Sequence, residues 1–114
     1  MESLYRGVPL AELRIESVEW TEERAQHIRT RSARKETIEL DVEPEWATEA
    51  VFDEGRTVAI TSGDSIKVIG YSSSARHLLK VWLYPKDLMA GDWWGASACE
   101  ANTTDKRNYK EANK

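Results

Sequence analysis

The second half of the chain contains four segments with the residue pattern of β-strands, joined by short polar turns. Residues 57–61 are rich in β-branched side chains, and residues 65–71 alternate apolar with polar side chains. Residues 77–84 are the most apolar of the four and are followed by Pro85, which predicts the end of that strand. Residues 93–99 combine small and aromatic side chains, which suits a closely packed central strand. This half of the chain therefore predicts a sheet of neighbouring antiparallel strands.

Helices are predicted on both sides of these strands. Residues 15–20 alternate as a further strand, and Thr21 is a typical helix N-cap because two acids follow it. Residues 46–52 predict a second helix with Pro44 near its first turn. Asn102 has an acid three residues later, the pattern of a capping box at the start of a last helix.

The order of these elements indicates the fold class. It predicts an α+β domain with a mostly antiparallel sheet of four to five strands, packed against two N-terminal helices and one C-terminal helix. We expect the helices on one face of the sheet. Residues 1–14 show no clear period and contain Gly7 and Pro9, so they are predicted to form a loosely held N-terminal arm or a short helix. Residues 15–114 are then a single domain, as a chain of 114 residues favours.

Charge is unevenly distributed along the chain. The total of 16 basic and 20 acidic side chains gives a net charge of −4, which argues against a histone-like protein. Residues 1–57 hold 8 basic and 14 acidic groups, whereas residues 58–114 hold 8 basic and 6 acidic groups. A basic block at residues 24–35 precedes an acidic run at residues 36–54. The basic block could guide an RNA backbone, meet acids of a partner, or form a solvated helix face.

Cysteine usage and hydropathy indicate the compartment. Cys99 is the one cysteine, so no internal disulfide forms, and the two histidines are too distant in sequence to complete a zinc site with it. No window approaches the ~20 apolar residues of a spanning helix, and charges near Met1 argue against a signal peptide. These features predict a cytoplasmic protein with no membrane contact, no metal and no cofactor.

Three segments carry a resemblance to a known family. The first is Val18-Glu19-Trp20 with His27 and Ile28 on the following helix, and the second is residues 49–53. The third is residues 70–79, continued by Ser97, Ala98, Ala101, Asp105, Arg107 and Tyr109. In this order the segments, which cover roughly residues 15–111, resemble the BrnT family, toxins of bacterial type II toxin–antitoxin pairs that are related to RelE-like ribonucleases.

The resemblance implies a fold, an activity and partners. The fold would be RelE-like, and the activity would be a metal-independent endoribonuclease in which the 2′-hydroxyl of the RNA attacks the adjacent phosphodiester. The partners would be the RNA substrate and a cognate BrnA-like antitoxin, in a toxin–antitoxin hetero-oligomer. Arg76 would stabilise the phosphate in the transition state, His27 would transfer a proton, and Arg107 would bind RNA.

Other side chains suit RNA binding by their chemistry. Lys106 and Arg31 are cations on predicted helices and could hold phosphates, although a solvated role is the alternative. Trp93 and Trp94 are adjacent in a strand, so they point to opposite faces and one of them should be buried. We expect Trp94 to stack on RNA or contact a partner, with burial under a loop as the alternative. His77 is, like His27, a candidate for proton transfer, although a strand residue without a chemical role is the favoured prediction for it.

One departure from the family pattern keeps a second function open. The family has an arginine after Ser-Ala, and this chain has Cys99 after Ser97-Ala98. The alternative hypothesis is therefore a catalytically silent protein-binding module with the BrnT fold.

Overall fold

The computed structural model describes residues 3–35 and 40–114, with the backbone alone at residues 34 and 35. Over these residues the chain has an α+β fold with a five-stranded mixed sheet and a separate two-stranded sheet. The strands are β1 (Leu4–Tyr5), β2 (Val8–Pro9), β3 (Ser17–Glu19), β4 (Thr57–Ile60), β5 (Ile66–Ser72), β6 (His77–Asp87) and β7 (Asp92–Glu100). The α-helices are α1 (Glu22–Arg29), α2 (Arg31–Lys35), α3 (Pro44–Val51) and α4 (Thr103–Ala112).

The five-stranded sheet has the order β3-β7-β6-β5-β4. Strands β4 to β7 pair antiparallel with their neighbours, whereas β3 pairs parallel with β7. The predicted mostly antiparallel sheet is confirmed, and the parallel edge strand makes the sheet mixed. The predicted central position of the last strand is also confirmed, because β7 lies between β3 and β6.

One face of the main sheet forms the core. Cross-strand pairs such as Val68 with Val81 and Ile66 with Leu83 are fully buried on this face. Helix α3 packs on it so closely that a Cβ atom at Gly70 would lie 1.8 Å from the carbonyl oxygen of Ala50. The alternating pattern of the sequence therefore directs the apolar side chains of β5 and β6 under α3.

Two tryptophans fix the N-terminal part of the domain to this core. Trp93 is fully buried, and its Nε1 donates a hydrogen bond of 2.8 Å to the carbonyl oxygen of Arg14. The ring of Trp20 covers Gly95, and its Nε1 donates to Thr48 at 3.1 Å. Trp93 is buried and Trp20 is partly buried, and both N–H groups are paired, as an indole removed from water requires.

The first two predicted helices are confirmed as α1 and α3. The Thr21 hydroxyl accepts a hydrogen bond of 3.2 Å from the backbone N–H of Arg24, as expected of an N-cap. Pro44 is the first residue of α3, and α2 is an additional short helix. No helix within residues 3–35 and 40–114 combines the length and apolar content that crossing a membrane requires.

The C-terminal helix α4 corrects the expectation that all helices lie on one face. Its Asp105 carboxylate is 3.1 Å from the Lys80 ammonium, and Lys80 alternates with the core residues Leu79 and Val81. Successive strand residues point to opposite faces, so α4 packs on the face opposite α3. The predicted capping box at Asn102 is confirmed, because Asn102 and Asp105 exchange hydrogen bonds.

The N-terminal segment differs from the loosely held arm that the sequence predicts. β1 and β2 form a short antiparallel hairpin, and a 3-10 turn at Leu10–Glu12 follows it. Tyr5 is only 1% exposed, and its hydroxyl donates a hydrogen bond of 2.8 Å to the carbonyl oxygen of Asp64. Strands of two residues show no period in sequence, so this segment is ordered by distant contacts.

Strand β6 continues beyond the proline that was expected to end it. It extends to Asp87, with Pro85 opposite Trp93 of β7 and a register irregularity after Pro85. The pairing with β5 stops at Leu83, so Pro85 has a strand neighbour on one side only. A proline is tolerated there because no partner strand requires its missing N–H.

Candidate functional site

A cleft lies at the end of β7, where the chain turns into α4. Its volume is about 350 Å³. Arg31, the first residue of α2, lines it on one side, and Lys106 of α4 also lines it. Cys99 and Glu100, the last residues of β7, contribute a thiol and a carboxylate. Two cations and one carboxylate therefore line the same cleft.

The Glu100 carboxylate joins two further groups at this end of the sheet. Its Oε2 atom is 3.4 Å from Nδ1 of His77 and 3.3 Å from the Lys106 ammonium. His77 begins β6 and Glu100 ends β7, and antiparallel pairing of these strands brings the two residues together. An imidazole next to a carboxylate can hold or move a proton, and a nearby ammonium favours an anionic ligand.

His77 is therefore the histidine that the structure places beside the cleft, although the sequence favoured His27 for proton transfer. Its sequence context predicts only a strand residue, because no motif links it to Glu100. The signal lies in strand pairing: an antiparallel register that aligns Leu79 with Glu100 places the start of β6 beside the end of β7.

Arg76 lies in the turn between β5 and β6, one residue before His77. It is exposed, and its backbone adopts a left-handed conformation with φ of 59°. Its backbone N–H donates a hydrogen bond of 2.8 Å to the carbonyl oxygen of Ser72, which closes the turn. Arg76 thus lies at the same end of the sheet as His77, although it does not line the cleft.

The Glu49 carboxylate holds this turn in place. It accepts hydrogen bonds from the backbone N–H of Ser74 at 2.7 Å and from its hydroxyl at 2.8 Å. The hydroxyls of Ser72 and Ser73 donate to it at 2.9 and 3.0 Å. The bonds from Ser74, followed by those from Ser72 and Ser73, lower the pKa of Glu49 from 4.5 to about 2. Helix α3 is thereby linked to the turn that carries Arg76.

His27 lies in a different pocket. It is half-buried on α1, in a depression of about 300 Å³ that Glu23, Arg24 and Thr30 also line. Arg76 does not line this depression, so the structure does not bring the two predicted catalytic residues into one pocket.

The predicted RNA-binding residues fall in two places. Arg31 and Lys106 line the same cleft, and Arg107 is exposed next to Lys106 on α4. Trp94 is 36% exposed on β7, while Trp93 is buried, so the predicted opposite orientation of the two indoles is confirmed. The Lys86 ammonium lies 4.7 Å from the centroid of the Trp94 ring, a cation–π contact.

The basic block and the acidic run contact each other. The Arg29 guanidinium is 3.0 Å from Glu43, and Asp41 accepts hydrogen bonds from the N–H and hydroxyl of Ser32. Part of the acidic run is therefore compensated within the chain. Glu36 and Glu39 lie outside the described residues, as do the side chains of residues 34 and 35.

Two further findings concern metal sites and the similarity of the chain to known proteins. Among residues 3–35 and 40–114, no group of three or more His, Cys, Asp or Glu side chains is placed to hold a metal ion. Comparison of the chain with protein-family models, with curated proteins and with solved structures finds no match in any of the three.

Proposed function

We propose that this chain is a BrnT-like toxin of a type II toxin–antitoxin pair, a metal-independent endoribonuclease that acts at the cleft beside β7. The observation that carries the proposal is a cleft lined by Glu100, Lys106 and Arg31, in which the Glu100 carboxylate contacts Lys106 and also His77, which lies next to the cleft without lining it. A proton-transfer group and two phosphate-binding cations are the groups that RNA cleavage without a metal requires.

The reaction assigns a role to each group. The 2′-hydroxyl of the RNA attacks the neighbouring phosphorus, the bond to the 5′-oxygen breaks, that oxygen takes a proton from solvent water and leaves as a 5′-hydroxyl, and a 2′,3′-cyclic phosphate forms. His77 accepts the 2′-proton, with Glu100 orienting the imidazole. Arg31 and Lys106 bind the phosphate, and Arg76 and Arg107 bind the flanking backbone. His27 stays a predicted second proton-transfer group, from its own pocket on α1.

The proposal includes a partner and a compartment. A BrnA-like antitoxin would form a hetero-oligomer with the chain and cover the cations of the cleft with acidic groups. The setting would be the bacterial cytoplasm, where the single thiol of Cys99 stays reduced. Expression of the chain alone should then arrest growth, and co-expression of the neighbouring gene should relieve the arrest.

Cleavage of RNA by purified protein tests the activity. His77→Gln removes the proposed base and should lower the cleavage rate by about 10²-fold or more. Arg76→Ala removes a cation from the same end of the sheet and should lower the rate by about tenfold. The control is Arg14→Ala, an exposed arginine whose described partners are Glu16 and the carbonyl oxygen of Met89. Wild-type protein that leaves RNA intact, or variants that cleave as fast as wild type, would contradict the proposal.

A second candidate function is the catalytically silent binding module. The observation that favours it is the position of Cys99, which lines the cleft where the family resemblance expects an arginine. Cys99→Arg separates the two functions. A rise in cleavage supports a weakened nuclease, whereas nanomolar binding of a protein partner without cleavage by either form supports the module.

A further inference from the structure

Part of the second face of the main sheet is not covered by α4. Tyr84 of β6 and Trp94 of β7 are directly opposite each other on this face, and they are 41% and 36% exposed. Trp82 lies two residues before Tyr84 on the same face and is half-buried opposite Ser97. Three aromatic rings therefore follow one another along neighbouring strands, on a face that the described residues leave open to solvent.

Lysine side chains flank these rings. The Lys86 ammonium is 4.7 Å from the Trp94 ring centroid, and the Lys80 ammonium is 5.3 Å from that of Trp82. Lys67 of β5 lies directly opposite Trp82 and brings a third ammonium to this face. We refer to Trp82, Tyr84, Trp94 and these three lysines as the aromatic–lysine surface.

We infer that the aromatic–lysine surface binds single-stranded RNA, with bases stacked on the exposed rings and phosphates held by the lysines. Flat π-faces interleaved with cations are what sequence-tolerant binding of single strands requires, because every base can stack and every nucleotide carries a phosphate. The inference rests on the proposed function, since RNA is the substrate proposed for the cleft.

The surface and the cleft both lie along β7. Cys99 lines the cleft and pairs with Lys80, at one end of the surface, and Trp94 lies five residues earlier on the same strand. At about 3.3 Å per residue, five residues span roughly 17 Å. RNA bound in the cleft could therefore continue over Trp82 and Tyr84 to Trp94.

The aromatic rings of the surface favour RNA over an acidic peptide as the occupant. The chain carries −4 overall, yet the surface brings three lysines together, of which Lys86 pairs with Glu19 and Lys80 pairs with Asp105. An acidic peptide would pair with the lysines but gain little from three flat aromatic rings. RNA uses both features, because its bases stack on the rings and its phosphates contact the lysines.

Binding of an uncleavable RNA tests the inference separately from catalysis. The probe is a fluorescein-labelled oligonucleotide of about 12 nucleotides with 2′-O-methyl groups throughout, a length within the range of single-strand sites. Fluorescence anisotropy gives the affinity. Trp94→Ala should weaken binding by about 5- to 100-fold, the range for loss of one stacked base, and Trp94→Phe should retain most of it. The matched control is Phe52→Ala, an aromatic residue that is also 41% exposed but ends α3 on the other face.

The salt dependence adds a second readout. Lys67→Ala should lower the slope of log affinity against log salt by about 0.7, as loss of one phosphate contact to a single strand does. Absence of binding at low salt, equal affinity of wild type and Trp94→Ala, or a protein partner that requires Trp94 in place of RNA each overturns the inference. RNA binding that requires Trp94 in a protein that does not cleave supports the surface and overturns only the nuclease.

Discussion

Gly70 is the residue at which helix α3 comes closest to the main sheet. It is buried opposite Leu79, and the carbonyl oxygen of Ala50 occupies the space that a Cβ atom would need. The next residues of β5 lead to Ser72 and to the turn that Glu49 holds. The distance between α3 and β5 at Gly70 therefore also determines the position from which the Glu49 carboxylate contacts that turn.

Gly70→Ala should destabilise the protein by about 3 kcal/mol, because α3 must move away from the sheet to admit the methyl group. The control is Gly63→Ala in the turn between β4 and β5, where the nearest atoms to an added Cβ lie 3.9 Å away. Urea unfolding measures both free energies. A loss at Gly70 no larger than at Gly63 would contradict the close packing described for α3.

At the scale of single residues, the sequence predicts the direction in which a side chain points better than the distant side chains that it contacts. The opposite faces of Trp93 and Trp94 follow from the two-residue period of a strand, and the Asn102 cap follows from local spacing. The contact of His77 with Glu100 depends on the register of two strands, which no local pattern specifies. For this reason Arg31 and Lys106 could be selected by charge, but not the cleft that they share.

The last helix is held to the sheet by polar contacts at both of its ends. Near its start, Asp105 pairs with Lys80, and near its end the Tyr109 hydroxyl donates a hydrogen bond to Asp53 at 2.5 Å. The Asn113 side chain donates to the carbonyl oxygen of Gly55 at 2.8 Å. Burial and the bond to the Asp53 carboxylate raise the pKa of Tyr109 to about 12.

Tyr109→Phe should lower the free energy of unfolding by about 1–2 kcal/mol, the contribution of a hydrogen bond to a charged group. Amide hydrogen exchange should rise first in α4, since Asp53 keeps its bond from the backbone N–H of Tyr71 at 3.0 Å. Tyr71→Phe is the control, because the Tyr71 side chain is 43% exposed. If both variants unfold alike, the Tyr109 contact does not anchor the helix.

At the scale of elements, the sequence predicts the types of the major elements, and three features escape it. Pro85 was expected to end β6, but the edge position that tolerates it depends on the length of β5. The hairpin around Tyr5 is too short to show a period. The face on which α4 packs depends on which side of the sheet the chain takes after β7, and amphipathic spacing does not encode that choice.

The molecule as a whole depends on ionised carboxylates. Bonds from Ser74, Ser72 and Ser73 lower the pKa of Glu49 to about 2. Burial alone would raise the pKa of Asp53 and of Asp105, but hydrogen bonds, chiefly from Tyr109 to Asp53 and from the backbone N–H of Asn102 to Asp105, lower both. A carboxyl group with a lowered pKa in the folded state adds stability above its unfolded pKa and loses it as the pH falls.

Unfolding free energy should therefore fall as the pH drops from about 4.5 towards 2. Glu49→Gln should be less stable than wild type by about 1 kcal/mol at pH 7, and the difference should shrink as the pH falls towards 2, where about half of the wild-type Glu49 is protonated. Chemical denaturation at a series of pH values measures this convergence, with Glu45→Gln, an exposed glutamate on the same helix, as the control. A pH-independent gap between wild type and Glu49→Gln would contradict the role assigned to the carboxylate.

The parallel pairing of β3 with β7 also determines how early the sheet can form while the chain is being synthesised. Ser17 and Asp92 are joined by a hydrogen bond of 2.7 Å across 75 residues, so the sheet gains its last strand only when β7 is available. The cleft is completed later still in sequence, by Lys106. Closing so long a loop slows folding, and a chain emerging from the ribosome cannot assemble the cleft before residue 106 has been translated. A protein with the activity proposed above would thus lack its cleft for as long as residues 1–105 are being made.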